Sequence, residues 1–393
     1  MKTLYKLPLI SPDSTEGFQC IELTADEDAK HDWSVCSYLL RGGLQEGVQV
    51  VEVDNGEFVF AILPTRGMSI WRAEYGDVSL GWDSPVKDPV NPAFMNLQDR
   101  GGIGWLKGFN EWFVRCGINS MGAPCVDTVL DYSGNKFDVS LPLHGNIANI
   151  PARAVSVEVT EEAIIVRGEI DETMMFGPAL RLNTEIRTEF GSGKMTITDT
   201  VTNLGNNPQE HQMLYHINYG ETLLEEGSRF IAPFKEVAPR DPRSAEGMDT
   251  FSEYGPSQIG FVEQAYYYEL AGDEGSGETM AMLRNAQGDQ ASLLRFTLSD
   301  FPCFTIWKNT AGMADGYVTG LEPATSFPNA RRFERERGRV ITLAGGESRT
   351  TTISIETLDA KEAISGAEAD IEKLQETAEG KVHPEPISRL SDC

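Results

Sequence analysis

One carboxylate and two imidazoles are the groups in this chain best placed to move protons together. The carboxylate is Glu322, in Gly320-Leu321-Glu322-Pro323-Ala324-Thr325-Ser326-Phe327-Pro328-Asn329-Ala330, which follows the strand-like run Asp315 to Leu321. Pro323 has no amide hydrogen with which to extend a ladder, so the pattern places Glu322 at a strand end, on a rim. There a strand would hold a general base and the following loop would open it to substrate. The imidazoles are His144, in Leu141-Pro142-Leu143-His144-Gly145-Asn146, and His216, in Met213-Leu214-Tyr215-His216-Ile217-Asn218-Tyr219-Gly220. Histidine gives or takes a proton near neutral pH, so one Glu with one or two His is a minimal acid–base set. Each residue alone has an ordinary alternative: a solvent-facing Glu, a sheet histidine with a satisfied ring, a turn residue before Gly145. His211 lies an odd number of positions from His216, so a regular strand turns it to the other face and the set omits it. His31 and His383 fall near the termini.

Three segments in order, His-Gly, aromatic-His-x-Asn-aromatic, and Leu-Glu-Pro followed by Phe-Pro-Asn-Ala, carry a family resemblance. The chain resembles the aldose 1-epimerase (galactose mutarotase) superfamily, and within it the less characterised bacterial aldose-epimerase-like branch. Leu63-Pro64-Thr65-Arg66-Gly67-Met68, Cys116-Gly117-Ile118-Asn119 and Trp307-Lys308 are similar to segments of that branch. The resemblance covers residues 40 to 357, and the Glu322 segment is its most specific part. It implies a many-stranded sandwich with an open concave face, Glu322 as base, His216 as acid, and His144 holding the substrate. Glu263 lies where better-known mutarotases carry a substrate-binding Asp after Gly-Phe, offset by a residue and longer by a methylene. Their Gly-Arg-x-x-Asn-Arg segment upstream of His144 is replaced here by residues 101 to 125, so the resemblance does not by itself imply galactose or glucose specificity.

The chemistry implied is ring opening of a cyclic hemiacetal. A base takes the anomeric hydroxyl proton while an acid protonates the ring oxygen; the aldehyde rotates and closes on its other face. Further substrate contacts are expected from Arg66, Arg115, Asn119 and Lys308, each of which also fits a structural or solvated role. Two His and one Glu can bind zinc, but no HExxH or similar spacing occurs, and no metal or other cofactor is expected. GxGxxG, P-loop and GxSxG motifs are absent as well. Three readings remain open: a mutarotase acting on a free sugar or sugar acid; an isomerase or lyase that abstracts a carbon-bound proton from an oxidised sugar; and a carbohydrate-binding protein without catalysis.

The elements that must position these groups read as strands. Val48 to Val53 and Phe58 to Leu63 flank Asp54-Asn55-Gly56, a strong hairpin signal. Ala154 to Val159, Ala163 to Ile170, Leu180 to Phe190 and Lys194 to Val201 largely alternate apolar and polar positions, an antiparallel meander with one buried face. The expected fold is all-β, a large antiparallel sandwich over residues 40 to 357, with an N-terminal arm over 1 to 39. A C-terminal helix and tail follow over 358 to 393, because Ile364, Ala367, Ile371 and Leu374 share a helix face. Residues 222 to 256, rich in charge, Gly and Pro, are expected as a long loop over one rim.

A formal charge of −27 over 393 residues disfavours nucleic acid and anionic membranes as partners and is neutral toward a small carbohydrate. Six dispersed cysteines without a CxxC pair suit reduced thiols in a cytoplasmic setting. No apolar run is long enough to span a bilayer, and subunit number is not legible.

Overall fold

The computed structural model describes residues 2–130 and 133–392. Two large sheets face each other across one apolar core. The first has nine strands and carries the meander in sequence order, Ala154–Thr160, Ala163–Thr173, Ala179–Glu189 and Lys194–Asn203. The second has fourteen strands. Its centre is built from five strands: β1 (Phe113–Ile118), β2 (Gln209–Tyr219), β3 (Gln264–Leu270), β4 (Cys303–Thr310) and β5 (Tyr317–Ala324), in the spatial order β1-β2-β5-β4-β3. All pair antiparallel. Side chains alternate across each strand, so parity decides their destination. On β2, Met213, Tyr215, Ile217 and Tyr219 enter the core between the sheets. Leu214 and His216 go to the outer face, where Leu214 joins a second cluster with Trp105, Phe109, Cys116 and Ala324.

The Asn55-Gly56 hairpin joins Gln49–Asp54 to Phe58–Leu63. The adjacent Val50 and Val51, an interruption of alternation, are both fully buried because this strand is covered on both faces. The helix α1 (Lys361–Gln375) lays Ile364, Ala367 and Ile371 on the outside of the nine-stranded sheet, against Met282, Ala291 and Leu293.

Two expectations need correction. Residues 222 to 256 are not one loop over a rim: Arg229–Ile231 edges the nine-stranded sheet, and Phe234–Pro239 pairs with β3 in the other. Arg229–Ile231 contains too few residues for alternation to register, and Phe234–Pro239 does not alternate, its pairing being irregular between Phe234 and Glu236. The N-terminal arm also extends both sheets, through Thr3–Ile10 in one and Ser34–Leu39 in the other. Beyond α1 the tail wraps: Lys381–Val382 adds a parallel strand, and Leu390 is fully buried.

Candidate functional site

β2 and β5 place His216 and Glu322 opposite each other. Leu214 faces Ala324 and Ile217 faces Leu321, so the intervening register sets His216 across from Glu322. Their side chains meet on the outer face, His216 Nε2 to Glu322 Oε1 at 3.1 Å, and both are buried. Gly320 makes room for this contact: a Cβ there would lie 2.7 Å from His216 Cε1 and 2.9 Å from Glu322 Oε1. Glu322 is therefore not at a strand end. The strand passes through Pro323 between two neighbours, and the ladder continues past it because Met213 N–H donates to Thr325 Oγ1 and Thr325 N–H to the Met213 carbonyl.

His144 completes the group from a loop. It adopts φ 59°, its N–H donates to the Gly122 carbonyl, and its ring stands 5.4 Å from that of His216. The glycine after it is required. Gly145 has φ 71°, and a Cβ there would come within 1.9 Å of the Ser120 carbonyl oxygen.

Aromatic rings cover the three groups. Trp105 lies 4.6 Å from His144, Phe109 5.1 Å and Trp307 5.5 Å from His216, and Trp82 5.0 Å from Phe109. Trp307 and Trp82 are only partly buried, so the acid–base pair lies beneath a single layer of side chains. Across β4, Thr305 stands opposite Glu322, its buried hydroxyl without a partner among the described residues. At the margin, Glu263 accepts from Trp307 Nε1 at 2.6 Å and from Arg240 Nη2 at 3.0 Å. The sequence reading included Glu263 but missed Trp82, Trp105, Phe109, Thr305 and Arg240. Trp105 and Phe109 sit in the short 3-10 helix Gly104–Gly108 and at its C-terminal cap, where aromatics beside glycines were the available signal.

Burial sets the electrostatics. It pushes the Glu322 carboxyl well above the usual carboxylate range; Arg240 lowers it and Glu263 raises it by smaller amounts. It pushes His216 well below the ordinary histidine value, helped by His144. His144 itself is lowered to about 4 by burial, against the bond from its ring to the Met121 carbonyl.

Four other expected contacts lie elsewhere, and each has a structural partner set. Arg115 has the opposite parity on β1 and enters the core, where Nε donates to Asp199 Oδ2 at 2.6 Å and Nη2 to Asp199 Oδ1 at 3.1 Å. Lys308 is one residue from Trp307 and therefore faces the interior, where it donates to the Thr250 carbonyl at 2.9 Å and to the Glu253 carbonyl. Arg66 is fully buried and donates to Glu111, Val90, Gly108 and Asn149, fastening the segment that carries Phe109. Asn119 accepts from Arg331 through Oδ1 and joins a network with Asp127 and Glu210. The expectation of a substrate contact at Arg66, Arg115, Asn119 or Lys308 is accordingly replaced by these internal roles. His211 lies on the other face of β2, its ring bonded to the Ile118 carbonyl.

Among the described residues no cluster of three or more His, Cys, Asp or Glu could hold a metal ion, and no helix is long and apolar enough to cross a membrane. The five described cysteines are unpaired. An open cleft of about 630 Å³ lies between the outer face of the nine-stranded sheet and α1, away from the Glu322–His216 pair, and contains no histidine.

The fold has solved counterparts. A Klebsiella pneumoniae subsp. pneumoniae MGH 78578 protein, described as a "putative aldose 1-epimerase", matches with TM-score 0.91 and 32% identity, over 98% of this chain and 99% of its own. A galactose mutarotase-like protein from Clostridium acetobutylicum matches with TM-score 0.59 and 14% identity, over 83% and 98%. A galactose 1-epimerase from Lactobacillus acidophilus NCFM matches with TM-score 0.51 and 10% identity, over 83% and 99%. The last two show the fold alone. No protein of curated function matches the chain. The architecture is that of the aldose 1-epimerase (galactose mutarotase-like) superfamily. Within it the chain belongs to the family described as "Domain of unknown function (DUF4432)", whose pattern matches residues 45–357.

Proposed function

We propose that the protein is an aldose 1-epimerase-like isomerase, interconverting the anomers of a free sugar by proton exchange with Glu322 and His216. The observation that carries this reading is the 3.1 Å approach of the two side chains beneath an aromatic cover. An acid and a base this close can engage the anomeric hydroxyl and the ring oxygen, which share one carbon. Aromatic rings suit the C–H face of a sugar, and Trp307, Trp82 and Phe109 surround the approach to the pair. His144 would hold a substrate oxygen at the pair's side, and Glu263 would act at the margin. The sugar's own C1–O5 bond breaks and re-forms, the protein exchanges only protons with it, and the reaction needs no cofactor. The Klebsiella protein's description agrees with this class of activity.

An isomerase or lyase abstracting a carbon-bound proton would need a cation to stabilise the enolate or carboxylate; Arg66 and Lys308 donate to groups inside the protein, so no observation favours that reading. The test is anomeric exchange by NMR across pentoses, deoxyhexoses, hexoses and uronic acids. Protein-dependent exchange for at least one sugar is expected. Tight binding with no exchange would identify a carbohydrate-binding protein instead.

A further inference from the structure

A buried carboxyl that the chemistry above leaves unused is Glu172, near the end of Ala163–Thr173 in the nine-stranded sheet. Parity sets it on the same face as Ile164, Val166 and Ile170, which pack in the core between the sheets. A carboxylate at such an apolar position costs free energy unless its oxygens find donors. Here they find three, and none belongs to its own sheet. Oε2 accepts from the backbone N–H of Ile118 at 3.0 Å and of Asn119 at 3.1 Å, and Oε1 accepts from Asn146 Nδ2 at 2.8 Å. Burial raises the carboxyl; the three donors and the positive charge of Arg331, which donates to Asn119 Oδ1 at 2.9 Å, oppose that rise.

The two segments that Glu172 grips are the two that meet at His144. Ile118 ends β1, and β1 sets Val114 opposite His216 on β2. Asn146 lies two residues after His144, and the segments run side by side. Gly117 N–H donates to the His144 carbonyl at 3.0 Å, and Asn146 N–H to the Gly117 carbonyl at 3.1 Å. His144 itself holds φ 59°, a left-handed conformation that a residue with a side chain keeps only where its surroundings impose it. Its N–H and its ring are tied to the Gly122 and Met121 carbonyls on one side. On the other side comes the tie from Asn146 to Glu172.

We propose that Glu172 is a positioning residue for His144: reaching across from the other sheet, its carboxylate locks the His144 loop to the strand beside His216 and so sets where the ring meets the sugar. The effect on turnover rests on the mutarotase reading; the placement of His144 does not. A residue that only capped the end of β1 would need the two backbone bonds and not the third, so Asn146 separates the two roles. Asn146→Ala keeps both backbone bonds to Glu172 and removes the tie to the loop. Asn146→Asp sets one carboxylate against another. Adding Glu172→Gln to it restores the contact, because the new amide donates to the new carboxylate while its oxygen still accepts both backbone N–H groups.

The test is ¹⁵N NMR of histidine-labelled full-length protein without sugar, with His144 assigned by the signals lost in His144→Gln. The His144 ring signals should shift or broaden in Asn146→Ala and Asn146→Asp and return in the double variant. Those of His211, bonded to the Ile118 carbonyl, should stay in place in Asn146→Ala. In steady-state anomeric exchange, KM should rise roughly 5- to 30-fold in each single variant, with a smaller change in kcat, and recover in the double variant. Unchanged His144 signals and unchanged KM in folded Asn146→Ala would reduce Glu172 to a strand cap and overturn the proposal. Equal losses in Asn146→Asp and the double variant would overturn it too. Shifted signals with an unchanged KM would contradict the role in turnover. A parent protein that exchanges no sugar would instead defeat the mutarotase reading, with the ring signals still deciding the placement.

Discussion

The two faces of β2 bury ionisable groups by different means. Toward the core, Arg115 donates to both Asp199 oxygens, to the Met68 carbonyl and to the Thr184 hydroxyl, and Tyr215 donates its hydroxyl to the same Asp199. Toward the outside, Glu322 has His216 and no other hydrogen-bond partner among the described residues, and His144 bonds through one ring nitrogen. The inner set is fully fixed and joins the two sheets, since Asp199 and Thr184 belong to the nine-stranded sheet. The outer set leaves an acid, a base and the Thr305 hydroxyl available. Burial alone thus does not mark a site; incomplete hydrogen bonding of buried groups that can exchange protons does.

That contrast can be broken at either face. His216→Gln should reduce anomeric exchange by ~10²–10⁴-fold while leaving the melting temperature nearly unchanged, as checked by NMR and calorimetry. Arg115→Met should do the opposite, costing about 3–5 kcal/mol in denaturant unfolding because Asp199 is left buried and unpaired. Trp307→Phe keeps the ring and removes the donor to Glu263; a rise in KM equivalent to about 1 kcal/mol, with kcat retained, is expected from steady-state kinetics.

The smallest effect concerns pH. His211 is lowered to about 4 by burial, so the unfolded chain takes up a proton between roughly pH 6.5 and 4 that the folded chain refuses. Its contribution is present above pH 6.5 and is lost as pH falls toward 4. Glu322, whose carboxyl is raised on folding, acts in the other sense: its contribution is present below the unfolded carboxylate value and declines as pH rises. His211→Asn should therefore show a smaller drop in melting temperature between pH 6.5 and 4.5 than the parent protein. An equal drop would remove His211 from the acid response.

Much of this arrangement was legible in the chain. Alternation gave the meander from Ala154 onward, Asn-Gly gave the hairpin, and the His144, His216 and Glu322 segments pointed to side chains that the fold brings together. Parity separated His211 from His216 correctly, because both lie on one regular strand. The same rule could not place Arg115 or Lys308, since nothing in the sequence fixes their register to β2 and β5. Trp307 and Lys308 were one candidate segment, yet adjacent positions on β4 go to opposite faces. Pro323 misled for a related reason: the ladder tolerates one missing donor where Thr325 supplies the partner for Met213. The aromatic cover was hidden because Trp105 and Phe109 come from a five-residue 3-10 helix and its C-terminal cap, too short for a period to read.

The most direct measurement compares anomeric exchange, per folded molecule, in the parent protein, Glu322→Gln and Arg115→Met on the same sugar. The account expects exchange to collapse in Glu322→Gln and to survive in whatever fraction of Arg115→Met is folded. Undiminished exchange in Glu322→Gln would show that the chemistry, if any, takes place somewhere other than the outer face of β5.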